Sequence, residues 1–285
     1  MITSTSNLQV KQLIQLQKKA KERNAQDVFV AEGPKMALEA PPERVVQVFV
    51  SESFCKKNPD FMGDNRPVTV LSDRVFENVS DTRTPQGVLC VIQQYHYGLE
   101  DLRGIIPHEV RDAHAPQSEI GGIIRRGQRE EPLLIALENL QDPGNLGTIV
   151  RTAEGAGVTG ILLGAGCVDL YNPKVIRATM GAVYRVPFYY TDDFQGALRI
   201  LQGKGVRFFA AHLEGSIPYD EETYSGPSGF LIGNESQGLT RETAALADAR
   251  IRIPMCGQVE SLNAAVAASV LMYEANRQRR RALVC

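Results

Sequence analysis

L-L-I-A-L-E-N-L-Q-D-P-G-N-L-G-T-I-V-R-T-A, residues 133–153, sets a strand, a tight connection and a helix in immediate succession. Leu133–Leu137 is an unbroken apolar run of strand length, the pattern of a strand covered on both faces. Asp142-Pro143-Gly144 reads as a turn, because proline presets φ and glycine accepts a left-handed position. Asn145 then reads as the N-cap of a helix in which Leu146, Ile149, Val150 and Ala153 recur at helical spacing. Arg151 falls on the other face, with Gly147 and Gly155 one turn to either side. Two readings compete there. An arginine in a groove cleared of side chains can meet a bulky anion such as a nucleic-acid backbone. A surface pair with Glu154 explains it equally well, at roughly a few tenths of a kcal/mol.

The same strand–helix unit recurs downstream. Strands are expected at 133–137, 160–164, 206–211, 229–233 and 251–253, and helices at 146–156, 173–182, 194–202, 240–247 and 261–281. This alternation predicts an α/β domain over 132–285 with a mostly parallel sheet covered on both faces. Ligands of such sheets bind at the carboxyl ends of the strands. The loops at 142–147, 233–239 and 254–263 occupy those ends. Gly233 and Gly238 permit close backbone approach to a ligand, and Glu235 supplies a carboxylate. Ser261 or Asn263 can cap the last helix. Gly164-Ala165-Gly166 suggests a dinucleotide fingerprint, but Asp169 stands where the third glycine belongs.

Residues 1–96 form a smaller α/β domain. A basic helix over 8–20 places Leu13, Ile14 and Leu16 inward and is followed by Lys18, Lys19, Lys21 and Arg23. Strands are expected at 29–31, 45–50, 68–71 and 88–92. Between the domains, 97–131 loses all periodicity and reads as a linker with an insertion, holding a short helix near 102–106. Its cluster Arg125, Arg126 and Arg129 is either a solvated linker or an RNA contact. The net charge of −2 confines any nucleic-acid surface to a local patch. Cys55, Cys90, Cys167, Cys256 and Cys285 show no C-x-x-C, and the histidines no ligand spacing, so a reduced, cytoplasmic, metal-free protein is expected. No apolar run reaches membrane-spanning length, and the first residues lack the apolar core of a signal peptide.

Three stretches together match a known pattern. N-L-Q-D-P-G-N-L-G-T-I-V-R-T-A at 139–153, I-G-N-E-S-Q-G-L at 232–239 and I-P-M-C-G-Q-V-E-S-L-N at 253–263 resemble, in order, motifs of the SpoU/TrmH RNA 2′-O-ribose methyltransferases of the SPOUT superfamily. Tyr273-Glu274 and Arg277-Gln278 continue the third; Ala264 stands where valine is expected. Ser6-Asn7, Val10-Lys11, F-V-A-E-G at 29–33 and T-P-Q-G-V at 84–88 resemble the substrate-binding domain of that family, which is similar to the ribosomal L30e fold.

The resemblance implies a SPOUT-type parallel sheet with a C-terminal trefoil knot, a homodimer, and S-adenosylmethionine bound in the knot. Gly233, Ile253 and Leu262 would line the cofactor pocket mainly through backbone atoms, with Leu213, Gly215 and Met255 as secondary candidates. Arg151 would sit near the reacting ribose hydroxyl, Ser261 and Asn263 would orient ribose or cofactor, and Glu235 would hold polar groups of the site or an arginine. RNA contacts are expected at Asn145, Arg151, Lys11, Lys18, Lys19 and Arg23. The substrate it implies is RNA, ribosomal rather than transfer RNA given the N-terminal domain. The competing readings are a non-catalytic RNA-binding relative, a transfer-RNA methylase and, more distantly, a dinucleotide-dependent oxidoreductase.

Overall fold

The computed structural model describes residues 1–62, 66–103, 131–212 and 217–282. Their contacts define two compact units. One gathers Met1–Tyr95 with Leu146–Arg151 and Val168–Arg185, two segments that the sequence pattern assigns to the second domain. The other gathers His96–Asn145, Thr152–Cys167 and Val186–Cys285.

In the first unit the chain runs α1 (Leu8–Lys18), α2 (Ala20–Gln26), β1 (Val28–Glu32), α3 (Pro34–Glu39), β2 (Val45–Ser51), α4 (Glu52–Lys57), β3 (Val68–Leu71), α5 (Asp73–Val79) and β4 (Val88–Gln93). The sheet order is β1-β4-β2-β3, with β4 antiparallel to both neighbours and β2 parallel to β3. Val10, Leu13 and Leu16 of α1 pack with Val75, Phe76 and Leu89 in its core. The helix expected over 8–20 breaks at Lys19, whose backbone is extended. The break turns α2 so that Arg23 reaches back to the last turn of α1, donating to the carbonyls of Leu16 (2.8 Å) and Gln17 (3.2 Å). These are carbonyls that helix termination leaves without a partner. Tyr171 stacks on Phe29 with ring centroids 4.8 Å apart, and its hydroxyl accepts from the main-chain N–H of Tyr95.

Onward, the elements are β5 (Leu133–Leu137), α6 (Pro143–Ala156), β6 (Gly160–Gly164), α7 (Pro173–Thr179), β7 (Phe188–Thr191), α8 (Phe194–Gly203), β8 (Arg207–Ala211), β9 (Ile217–Pro218), β10 (Ser228–Ile232), α9 (Arg241–Ala245), β11 (Ala249–Arg252) and α10 (Ala264–Ala282). The strands make one parallel sheet in the order β7-β6-β5-β10-β8-β11-β9. Side chains alternate across it. Phe208 and Leu231 turn to one face, where Phe194, Leu198 and Leu201 of α8 cover them. Phe209 and Phe230 turn to the other, against Tyr224, whose main-chain N–H is held by Gln278 of α10.

Several local expectations change. Asp142, not Asn145, caps α6, accepting from the N–H of Asn145 at 2.7 Å. Pro143 takes the first helical position, where its missing N–H costs nothing, so Gly144 is helical rather than left-handed. Gly147 is buried: a Cβ there would come within 2.4 Å of the Ala178 Cβ and 2.8 Å of the Val175 carbonyl. It therefore serves the close approach of α6 to α7 and does not clear a groove around Arg151. A Cβ on Gly155 would lie 3.1 Å from the Tyr273 hydroxyl. The turn after Gly98 is a 3-10 helix, Leu99–Arg103, with Leu102 buried against Gly160. Residues 104–106 of the helix expected there lie outside the described residues, as do Arg125, Arg126 and Arg129. The strands β7 and β9 were not expected from the sequence.

Candidate functional site

Because β5 and β10 are parallel neighbours in register, Leu137 beside Ile232, both release their following loops at one sheet edge. Asn139 takes a left-handed backbone, φ 56°, and its carbonyl accepts from the Asn234 side chain at 2.9 Å. Glu235 reaches back across the same gap. Its carboxylate accepts from the N–H of Asp142 at 3.1 Å, the N–H of Gln141 at 3.4 Å and the Asn145 amide at 3.0 Å. The Asn145 amide oxygen in turn accepts from the Asn263 side chain at 3.0 Å. Asn263 caps α10, its side-chain oxygen accepting from Ala265 (2.9 Å) and Val266 (3.3 Å). A carboxylate can only accept, so the Asn145 NH2 must face Glu235 and its oxygen must face Asn263. One carboxylate and two amides thus connect the loops after β5, β10 and β11.

Burial by itself pushes the Glu235 carboxyl up, but hydrogen bonds from Asn145 and from main-chain N–H groups, including those of Asp142 and Gln141, outweigh it and hold the group below its ordinary 4.5. The ionised form is the one that ties the loops, so this tie persists at neutral pH and is lost as pH falls below 4.5 through the lowered value.

Beneath the loop, Gly233 is required by the chain itself. A Cβ there would fall 2.1 Å from the Gly238 carbonyl carbon, while Gly238 is left-handed at φ 68°. The space a Cβ on Gly233 would need is therefore taken by the loop's own backbone. An open pocket of about 410 Å³ lies along this edge, lined by Asn139, Gln141, Asn234, Glu235, Gln237 and Thr240 among others. Glu138, which sequence reading passed over, is buried and accepts from Thr240 and Thr243. The available signal was Thr240-x-x-Thr243, two hydroxyls one helical turn apart at the start of α9.

Arg151 is exposed on α6. Ser261 is exposed and precedes α10; Ile253, Met255 and Leu262 are half-buried in a stretch that is neither helix nor strand. Leu213 and Gly215 lie outside the described residues. Lys11, Lys18 and Lys19 are exposed. Arg23 is not: at 3% exposure, bonded to two carbonyls and paired with Asp169 at 2.5 Å, it is a structural residue and is withdrawn as an RNA contact. Among the described residues no group of His, Cys, Asp and Glu could hold a metal ion, and no helix is long and apolar enough to cross a membrane.

Residues 132–273, which include every loop tied at this edge, match the SpoU rRNA methylase family. An uncharacterized tRNA/rRNA methyltransferase of Synechocystis is 32% identical over 98% of this chain and 94% of its own length. The chain belongs to the SpoU rRNA methylase family. Residues 7–90 match the MRM3-like substrate binding domain. The 23S rRNA (guanosine(2553)-2′-O)-methyltransferase RlmP of Bacillus subtilis is 29% identical over 95% of this chain and 97% of its own. A crystal structure of an AdoMet-bound rRNA methyltransferase from Sinorhizobium meliloti is similar with TM-score 0.78 and 30% identity, covering 97% of both chains. The likeness to that structure therefore spans nearly the whole chain. In this SpoU protein, the Glu235–Asn145–Asn263 connection joins all three motif loops read from the sequence.

Proposed function

We propose that this chain transfers the methyl group of S-adenosylmethionine to a ribose 2′-hydroxyl of ribosomal RNA. The observation that carries the reading is the hydrogen-bonded connection of the three SpoU motif loops through Glu235, Asn145 and Asn263 at the carboxyl edge of the parallel sheet. The chemistry of the loops fits the cofactor. Ile253, Met255 and Leu262 offer half-buried apolar surface along an irregular backbone after β11, and the loop of Gly233 leaves the same parallel sheet after β10, with one strand, β8, between the two. S-adenosylmethionine would be held there, with the C-terminal segment knotted around it, and would supply an electrophilic methyl on a sulfonium leaving group. Leu213 and Gly215 are further candidates for that pocket. The working form is a cytoplasmic homodimer.

The residues of the chain then position the acceptor. Asn145, fixed by Glu235 on one side and Asn263 on the other, presents a preorganised amide at the start of α6. Ser261 and Asn263 orient the ribose or the cofactor. Arg151 grips the target phosphate and stabilises charge developing on the attacking oxygen, since a guanidinium offers a fork of donors and is a poor general base. Residues 1–96 bind RNA, through Lys11, Lys18 and Lys19, and the family members named for 23S rRNA make ribosomal RNA the substrate.

Arg151→Lys tests the role of the fork. Transfer of tritiated methyl to ribosomal RNA is expected to fall about 100-fold, as for loss of one charge-stabilising donor, while RNA binding is retained. Turnover near that of the wild type would remove Arg151 from the mechanism.

A further inference from the structure

The Glu235 side of the 233–240 loop is only one of its attachments. The other end is held by Glu138, a carboxylate 5% exposed at the end of β5. Its main-chain N–H continues the β5–β10 ladder to the Ile232 carbonyl at 2.9 Å, so its position is set by the sheet. One carboxylate oxygen accepts from the N–H of Thr240 at 2.8 Å; the other accepts from the hydroxyls of Thr240 (2.8 Å) and Thr243 (2.6 Å). Thr243 is fully buried, and its hydroxyl also accepts from the Gln195 amide of α8 at 3.0 Å. Burying a carboxylate is costly unless its lone pairs are engaged, and here three donors engage them. A core that needed only stability would place an apolar group at this position at lower cost. The network instead fixes where the loop ends.

That end matters for the loop's interior. Asn234 and Gly238 exchange main-chain hydrogen bonds at 3.0 and 2.9 Å, and Gly233 sits directly under Gly238 with no room for a side chain. Thr240 follows Gly238 by one intervening residue, so movement of Thr240 is transmitted to Gly238, and from there to Gly233 and Glu235. We infer that Glu138 is a positioning residue for the cofactor loop: it holds Thr240 against the end of β5 and thereby sets the backbone at Gly233, the residue of this loop that would line the S-adenosylmethionine pocket. The inference rests on the methyltransferase reading and extends it to a residue that touches neither substrate.

Glu138→Gln is the discriminating variant. An amide retains one acceptor oxygen for the hydroxyls, but its NH2 then faces the Thr240 N–H donor to donor, or the reverse if it flips. The expected result is a KM and a Kd for S-adenosylmethionine raised about tenfold or more, kcat changed much less, and RNA affinity unchanged. Thr243→Val keeps the buried shape and removes one donor; it should weaken cofactor binding in the same direction, with the double variant little worse than Glu138→Gln alone. Thr240→Ser, which keeps both donors, should bind as the wild type does. Calorimetric titration of the full chain with S-adenosylmethionine reads all four. If Glu138→Gln fails to fold, Thr243→Val and Thr240→Ser decide the matter by the same titration. Cofactor affinity unaltered in folded Glu138→Gln, or in Thr243→Val should the first not fold, overturns the role of Glu138, as does a parallel loss of RNA affinity. A wild-type chain that shows no binding overturns the methyltransferase reading itself.

Discussion

Arg23 in the first unit and Asn145 in the second are both polar side chains held by several hydrogen bonds, yet they serve opposite ends. Arg23 is buried, and its partners are the carbonyls at the end of α1 and the Asp169 carboxylate. It satisfies carbonyls that a helix end would otherwise leave unpaired and pairs with a partly exposed carboxylate. Asn145 is half-buried, between Glu235 and Asn263, which are both exposed. Bonds facing water contribute little net stability. What they fix is the geometry of loops that meet at the carboxyl edge of a parallel sheet. In these two residues the same kind of interaction serves the fold where it is buried and the site where it faces water.

Substituting Asn145 tests the exposed half of this contrast. Asn145→Ala removes the bridge between Glu235 and Asn263, and methyl transfer is expected to fall about tenfold to a hundredfold. The unfolding free energy, measured by urea titration, should change by less than about 1 kcal/mol. A loss of stability matching the loss of activity would erase the distinction.

Arg23→Ala tests the buried half. Removing one partner of a buried pair leaves the other uncompensated, but Asp169 keeps 31% of its side-chain surface and can regain water. A loss of about 2 kcal/mol is therefore expected in the same titration, below the figure for a fully buried pair. RNA affinity of the folded variant should be unchanged. Weaker RNA binding at unaltered stability would restore Arg23 to the RNA surface.

Much of this was legible in the sequence. The apolar run Leu133–Leu137 matched its strand end to end, because a strand buried on both faces has no polar face to blur its limits. The three loops were readable as an edge because βα alternation forces strand ends together. Arg23 was misplaced because a basic run looks alike whether its members are solvated or turned inward, and only the break at Lys19 decides. Gly147 was misread because a missing side chain marks close approach without saying what approaches; the neighbour is α7, distant in sequence. Glu138 was passed over because its partners, Thr240 and Thr243, are brought to it only by the pairing of β5 with β10.

The smallest effect expected is chemical. Burial pushes the Cys90 thiol up to about 12 and the Cys167 thiol up to about 11, whereas Cys256 is exposed. The thiolate is the reactive form, so iodoacetamide at neutral pH should label Cys256 and spare Cys90 and Cys167 in the folded protein. Labelling of Cys167, which accepts from the Leu140 N–H beneath the site loops, at the rate of Cys256 would show that edge to be open rather than held.

The central claim is that the tied loops form a ribose methylation site. Ribosomal RNA from cells lacking the gene, incubated with the purified chain and tritiated S-adenosylmethionine and then mapped for 2′-O-methyl ribose, tests it most directly. The account expects label at a discrete ribose 2′-oxygen, and much less with Asn145→Ala. Label on a base, or none on any ribose despite cofactor binding, contradicts it.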